Sequence, residues 1–441
     1  MLGPQNKNEQ SRKIGAIPLK DCLAKTIRSE SGVKPGLSVE THCLIVGYVA
    51  REIMARMPAW LSEGLFPKGS ALIAAAHDLG KISPAFQERI HLHTGKVLGI
   101  ANPDQDKNIG YHWSVSQAAI SNSPKYVPEI LGRHHGYTPS ANICLPDAEI
   151  YGGPAWQEMR TDLLQILKRD LNEDWPVVSS AIQSDVIAGL TTVADWIGSG
   201  SLFDKVDSES WKGKISKALD DAGWVAPVIC KGLSFQEVFE FSLNKVQKRF
   251  VENVNAQGAY VLEAPMGIGK TEAALYAAYK MLEKEEATGI YFALPTQFTS
   301  DKIHERMNQF LSRILAASDE NRRSLLLHSS AWLRETEMGE EGTPSRSWFD
   351  SSKRGLLAPF AVGTIDQALM AVMNVKHGFV RTFGLAGKVV ILDEVHSYDA
   401  YTGTILKELV TALRELHCTV IVLSATLTDV QRRSIMNLDP A

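Results

Sequence analysis

Histidines and aspartates recur through the first half of the chain in a set whose types suit divalent metal ions: His42, the doublet His77-Asp78, His112, the doublet His134-His135, and Asp195. Imidazole and carboxylate bind first-row transition metals, and a carboxylate such as that of Asp78 can bridge two ions. Two ions held in this way activate a water and stabilise both the attacking and the leaving oxygen of a phosphodiester. A lone histidine in a helical protein is ordinarily structural, but the contexts here reinforce one another. His77-Asp78 follows a small apolar run and precedes Gly80-Lys81, and His134-His135 is followed by Gly136. Asp195 falls on the otherwise apolar segment TTVADWIGSGS, where an unpartnered buried carboxylate is costly and calls for a cation or for donors. His91 and His93 lie outside the set and read as residues of a solvated loop.

A second chemistry stands in the other half. The run APMGIGKT, Ala264 to Thr271, follows the strand-like YVLE and precedes the helical EAALYAAYKML, the context that a phosphate-binding loop requires. Gly267 and Gly269 allow backbone N–H groups to surround the β- and γ-phosphates of ATP, Lys270 supplies positive charge, and Thr271 can ligate Mg²⁺. The run KVVILDEVH is the matching motif. Its buried strand delivers Asp393 to Mg²⁺ and Glu394 to the attacking water, and His396 completes a DExH box. In LSATL, Ser424 and Thr426 carry short hydroxyl side chains suited to relaying nucleotide state toward bound nucleic acid.

The elements that must position these residues differ between the halves. From Val39 to Gly200 apolar residues such as Leu44, Val46, Val49, Ile53 and Met57 recur at helical spacing, so the first half is expected to be all-α. From Ala259 onward the texture changes to YVLEAP, IYFALPT, SLLLHSS, FAVGT, KVVILDE and TVIVLSAT. Short apolar runs of this kind, separated by helix-length segments, predict the buried parallel strands of an α/β sheet. The junction lies within Ser201 to Ser234, and the two domains are expected at 1–225 and 226–441. Glu335 to Gly342 and the charged run Lys284 to Glu286 read as solvated surface.

Composition sets outer limits. The 441 residues, 44% hydrophobic and 22% charged, can bury large cores, and the polar start MLGPQNKNEQSRK lacks an apolar signal region. No apolar run approaches the ~20 residues needed to span a bilayer. Five cysteines without a CxxC pair fit free thiols in a reducing, cytoplasmic setting, with no membrane partner. A net charge of −4 gives no global electrostatic signal for nucleic acid.

The order H…HD…H…HH…D resembles the HD phosphohydrolase superfamily, and specifically the HD nuclease domain of CRISPR-associated helicase-nucleases. The resemblance implies that His42, His77, Asp78 and Asp195 hold one metal and that Asp78, His112, His134 and His135 hold the other, with manganese, iron, nickel or cobalt as the ions. It also implies that Lys81 contacts phosphate, with Ser199 as a further candidate. Ala264 at the first position of the phosphate loop resembles superfamily 2 helicases. Pro295-Thr296-Gln297, and Gly363-Thr364 with Asp366-Gln367, resemble the helicase motifs whose backbone and hydroxyl groups hold a phosphodiester strand. Gln247 resembles the glutamine that reads adenine. Together with GFVRTFGLAGKVVILDEVHSYDAYT, these motifs make the chain similar to the signature helicase-nuclease of type I CRISPR systems. What that similarity implies is a helical HD domain followed by a first RecA-like lobe, acting on single-stranded DNA after recruitment by a guide-RNA surveillance complex. Such helicases have two RecA-like lobes. The residues end at Ala441, after the first, which leaves open a shortened chain, a broken gene or one part of a split protein, and in the last case a separate second lobe would be a partner. Two other readings stay open: an HD phosphohydrolase acting on nucleotides, and a non-catalytic fragment that binds DNA or the guide complex.

Overall fold

The computed structural model describes residues 16–29, 32–104, 111–136, 144–204, 210–317, 319, 324–327, 355–373, 375–395, 400–427 and 432–433, with the side chains of 297–299, 301 and 400–405 left aside. His396 and Glu335 to Gly342 lie outside the described residues.

The first half is helical, as its periodicity predicts, except for one antiparallel hairpin of β1 (Thr26–Ser29) and β2 (Gly32–Pro35). Its helices are α1 (Val39–Ala55), α2 (Ala59–Leu65), α3 (Ser70–Ala76), α4 (Pro84–His93), α5 (Tyr111–Ala119), α6 (Val127–Gly132), α7 (Gly153–Leu171), α8 (Ala181–Gly198) and α9 (Ile215–Asp221). Local chemistry sets several of their ends. Ser38 caps α1 by accepting from Thr41 N–H at 3.2 Å, and Ser180 caps α8 by accepting from Gln183 N–H at 3.1 Å. All seven residues of α3 are buried, so this short helix is the hub that α1 and α8 pack around.

The second half begins with α10 (Phe235–Phe239) and α11 (Lys245–Asn253) and then alternates strand and helix. In chain order it contains β3 (Ala259–Glu263), α12 (Lys270–Glu283), β4 (Ile290–Leu294), α13 (Gln297–Ile314), β5 (Leu325–Leu327), β6 (Phe360–Thr364), α14 (Ile365–Leu369), α15 (Gly378–Leu385), β7 (Val389–Leu392), α16 (Ala400–Glu415) and β8 (Thr419–Ser424). The six strands form one parallel sheet in the order β3-β8-β7-β4-β6-β5. Each coincides with one of the six apolar runs in the sequence.

Because strand side chains alternate between faces, the sheet divides its residues between two cores. Ile290, Phe292, Leu294, Ile391 and Leu423 face α12 and α13 in one cluster. Tyr291, Ala293, Val390, Leu392 and Val422 join a second cluster that also contains Ile45, Leu72, Leu190 and Val193 of the helical half. The hydrophobic core of the first half is thus continuous with one face of the sheet. The bridge is α15, which packs along α8. No helix among the described residues is long and apolar enough to cross a membrane.

Candidate metal centre and nucleotide site

Five elements bring the predicted histidines and aspartates together. His42 lies on α1, His77 and Asp78 leave the end of α3, His112 lies on α5, His134 and His135 follow α6, and Asp195 lies on α8. The stretch Leu79 to Lys81 then packs against α5 so closely that only glycine fits at position 80. A Cβ there would stand 1.8 Å from His112 O, and the Gly80 N–H donates to Ser116 Oγ at 2.9 Å. This contact fixes the distance from Asp78 to His112.

The result is two ligand groups. His42, His77, Asp78 and Asp195 have one ligand atom each within 4.8 Å of one another, as do His112, His134 and His135. Asp78 stands between them. Its Oδ2 lies 3.1 Å from both His42 Nε2 and His77 Nε2, and its Oδ1 lies 3.3 Å from His112 Nε2 and 3.8 Å from His134 Nε2. Asp195 Oδ1 is 3.2 Å from His42 Nε2 and 3.4 Å from His77 Nε2, and it accepts from Ser199 Oγ at 3.1 Å. Lys81 Nζ is 2.7 Å from Asp78 Oδ2.

Several of these imidazole nitrogens, His42 Nε2, His77 Nε2 and His134 Nε2, are buried without a regular hydrogen-bond partner, and the Asp78 oxygens meet imidazoles and the Lys81 ammonium. Buried polar atoms are ordinarily satisfied, so unsatisfied imidazole nitrogens converging on buried carboxylates in one small volume fit a cation. The imidazoles are also aimed. His77 Nδ1 is 2.8 Å from Ala74 O and His134 Nδ1 is 2.6 Å from Leu131 O, which commits those nitrogens to backbone and turns each Nε2 inward.

Electrostatics agree. Burial pushes His134 down to about 3 and His135 well below the ordinary histidine range, so both rings are neutral donors. Burial acts to raise Asp78 and Asp195, but the His77 charge and other neighbours outweigh it and hold both carboxyls well below the usual range. For His77 burial acts downward, and Asp78 and Asp195 together raise it to about 10. A ring driven to take a proton between two carboxylates occupies the place of positive charge that a metal supplies.

The second site lies at the carboxyl ends of the strands. A cavity of about 500 Å³ is lined by Gly267, Gly269, Lys270, Thr271, Asp393, Glu394 and Ser424. Gly267 and Gly269 have φ of +80° and +82°, the left-handed conformation that lets the loop wrap and then start α12. Lys270 Nζ donates to Ala264 O at 2.6 Å. Asp393 is raised by burial, and its carboxylate accepts from the Glu394 N–H at 2.9 Å. Ser424 Oγ donates to Thr426 O at 2.9 Å, while Thr426 itself is exposed. Phe241, Asn244 and Arg306 also line the cavity and were not singled out from the sequence. Arg306 comes from the far helix α13 and pairs with Glu272, so only the fold brings it there.

Other predicted residues sit differently. Gln247 is 2% exposed and committed to backbone: its Oε1 accepts from the Asn244 N–H at 3.0 Å and its Nε2 donates to Gly269 O at 3.0 Å. It braces the phosphate loop from the cavity wall. Pro295 and Thr296 lie at the start of α13, with Thr296 exposed and Gln297 as the first helical residue. Gly363 and Thr364 end β6 inside the core. A Cβ on Gly363 would lie 2.9 Å from Leu327 O, and Thr364 O accepts from Tyr291 OH at 2.7 Å. At that turn Asp366 is exposed, whereas Gln367 is buried. His91 corrects the solvated-loop expectation. It is a buried residue of α4 with Nε2 3.2 Å from Asp21 O, because the short chain segment ahead of β1 folds over that helix. His93 is the exposed last residue of the same helix.

Residues 24–203 match the family described as Cas3, HD domain, and residues 244–433 match the DEAD/DEAH box helicase family. The CRISPR-associated endonuclease/helicase Cas3 of Thermus thermophilus is 31% identical, over 85% of this chain and 45% of its own length. The crystal structure of T. fusca Cas3 superposes with a TM-score of 0.75 at 27% identity, covering 96% of this chain and 51% of that one. A chain from a CRISPR RNA-guided surveillance complex, pre-nicking, superposes with a TM-score of 0.63 at 26% identity, covering 96% of this chain and 49% of its own. The chain spans about half the length of these relatives.

Proposed function

Because the chain belongs to the Cas3 family, with an HD domain followed by a DEAD/DEAH-box helicase domain, we propose that it is a metal-dependent nuclease that cuts single-stranded DNA and is joined to an ATP-driven DNA motor. One observation carries the nuclease reading. Asp78 stands between two groups of histidines whose inward nitrogens are largely buried and unsatisfied.

His42, His77, Asp78 and Asp195 would hold one ion, and His112, His134 and His135 with Asp78 the other. When bound, the pair supplies Lewis acidity and an activated water at neutral pH. Five imidazoles with two carboxylates suit manganese, iron, nickel or cobalt as the ions. Asp78 keeps the two groups in register, Ser199 orients Asp195 through its hydroxyl, and Lys81 offers a cation beside Asp78 for a non-bridging phosphate oxygen. In the motor, Lys270 and the loop glycines would bind the nucleotide phosphates, Thr271 and Asp393 would hold Mg²⁺, and Glu394 would orient water. Gln247, its amide committed to Asn244 and Gly269, stabilises the loop that meets the nucleotide rather than reading adenine. Thr296 and the turn after β6 support the DNA strand, and Ser424 with Thr426 carries nucleotide state toward it. We place the division of labour near residue 225. A guide-RNA surveillance complex as recruiting partner is supported by the likeness to a chain of such an assembly.

The test is substrate choice. With manganese and no ATP, the purified chain should linearise circular single-stranded DNA and leave deoxynucleotides intact. Hydrolysis of nucleotides with circular DNA untouched would favour a nucleotide phosphohydrolase. Turnover of neither substrate would favour a binding fragment.

A further inference from the structure

We propose that the turn Val375 to His377, from the helicase side of the molecule, is a positioning element of the nuclease centre, with His377 as its principal residue. The proposal rests on the nuclease reading above. Gly136 immediately follows the candidate ligands His134 and His135, and its carbonyl accepts from the His377 N–H at 3.2 Å. Gly136 has a φ of +118°, and a Cβ there would stand 2.7 Å from Lys376 Cγ and 3.0 Å from His377 Nε2. The turn that carries two of the imidazoles is therefore seated directly on the other domain, with no room for a side chain between them.

His377 also packs its ring against a residue of α8. It is 8% exposed, and its ring centroid lies 6.0 Å from that of Trp196, the neighbour of Asp195. Behind it, α15 lies on α8 so closely that a Cβ on Gly189 would stand 2.3 Å from Phe383 Cβ and 2.7 Å from Phe379 O. The Arg133 guanidinium sits 5.5 Å over the Phe379 ring, which ties the residue preceding His134 to the same helix. From its far end α15 turns through Gly387 into β7, and β7 ends at Asp393 and Glu394 of the nucleotide cavity. A helicase segment thus fixes the backbone of the ligand turn, and backbone placement decides where two metal-binding nitrogens point. Groups that orient metal ligands without touching the metal are worth ~10- to 100-fold in affinity.

Cobalt(II) binding to the whole chain, followed by visible absorption, tests this without relying on activity. Wild type should bind two ions in separable steps. His377→Ala should weaken one step by ~10-fold and alter its absorption, while the other step and the binding of an ATP analogue stay as in wild type. His377→Asn, whose residue type tolerates the left-handed φ of 56° at this position, carries the same expectation if the alanine variant fails to fold. Unchanged steps in a folded variant would overturn the proposal, as would equal weakening of both. If wild type binds no cobalt, the nuclease reading itself fails, which is a different result from an intact wild type with indifferent variants.

Discussion

Lys81 is the residue whose two possible roles are easiest to separate. Its Nζ lies 2.7 Å from Asp78 Oδ2 and contributes to the depressed carboxyl of Asp78. If it serves the reaction by meeting a phosphate oxygen, Lys81→Ala should slow cleavage by ~10²-fold, the scale for losing one donor to developing charge, with the metal content per chain unchanged. Loss of bound metal in parallel with the rate would make Lys81 a support of the ligand shell instead. The candidate ligands stood out in the sequence, and the fold brings them together, because metal chemistry restricts residue type and several types in a fixed order are hard to assemble by accident. Arg306 and Phe241 were not legible, because an arginine on a helix and an exposed phenylalanine carry no local mark of the cavity they line. Gln247 was found as a candidate, but its commitment to Asn244 and Gly269 depends on how α11 meets the phosphate loop.

At the scale of elements, the strands were readable because a buried parallel sheet demands uninterrupted apolar runs, and β3 to β8 all have them. The hairpin β1–β2 was not: TIRS and GVKP carry little apolar alternation, and β2 is exposed along its length. The start of β7 hides a further device. Lys388 is fully enclosed, and its Nζ donates to Leu356 O at 2.7 Å and to Ala358 O, stitching that loop to the strand. Two carbonyls match the two N–H groups of a neutral amine, and burial pushes Lys388 down from 10.5 to about 7. Between those values the unfolded chain holds a proton that the folded chain does not, so stability from this residue rises with pH across the window. The penalty is complete below about 7. Lys388→Met should remove that rise: from pH 7 to pH 10 the melting temperature of wild type should gain on that of the variant. Parallel curves would show that Lys388 stays charged in the folded protein.

For the whole molecule, the account divides labour between halves that share a core. The helical half holds the candidate metal ligands and the sheet half holds the nucleotide cavity, yet Leu190 and Val193 belong to the same hydrophobic cluster as Val390 and Val422. The order of the halves could be read from the change in hydrophobic period. Their fusion could not, because it depends on which face of each strand turns toward α8 and α15. The division predicts that hydrolysis in the first half proceeds without nucleotide in the second. Nicking of circular single-stranded DNA with manganese and no ATP, measured side by side for wild type, Lys270→Ala and Asp78→Ala, tests this most directly. The prediction is equal nicking by wild type and Lys270→Ala and none by a folded Asp78→Ala. Nicking by Asp78→Ala at the wild-type rate, or loss of nicking in Lys270→Ala, would contradict it.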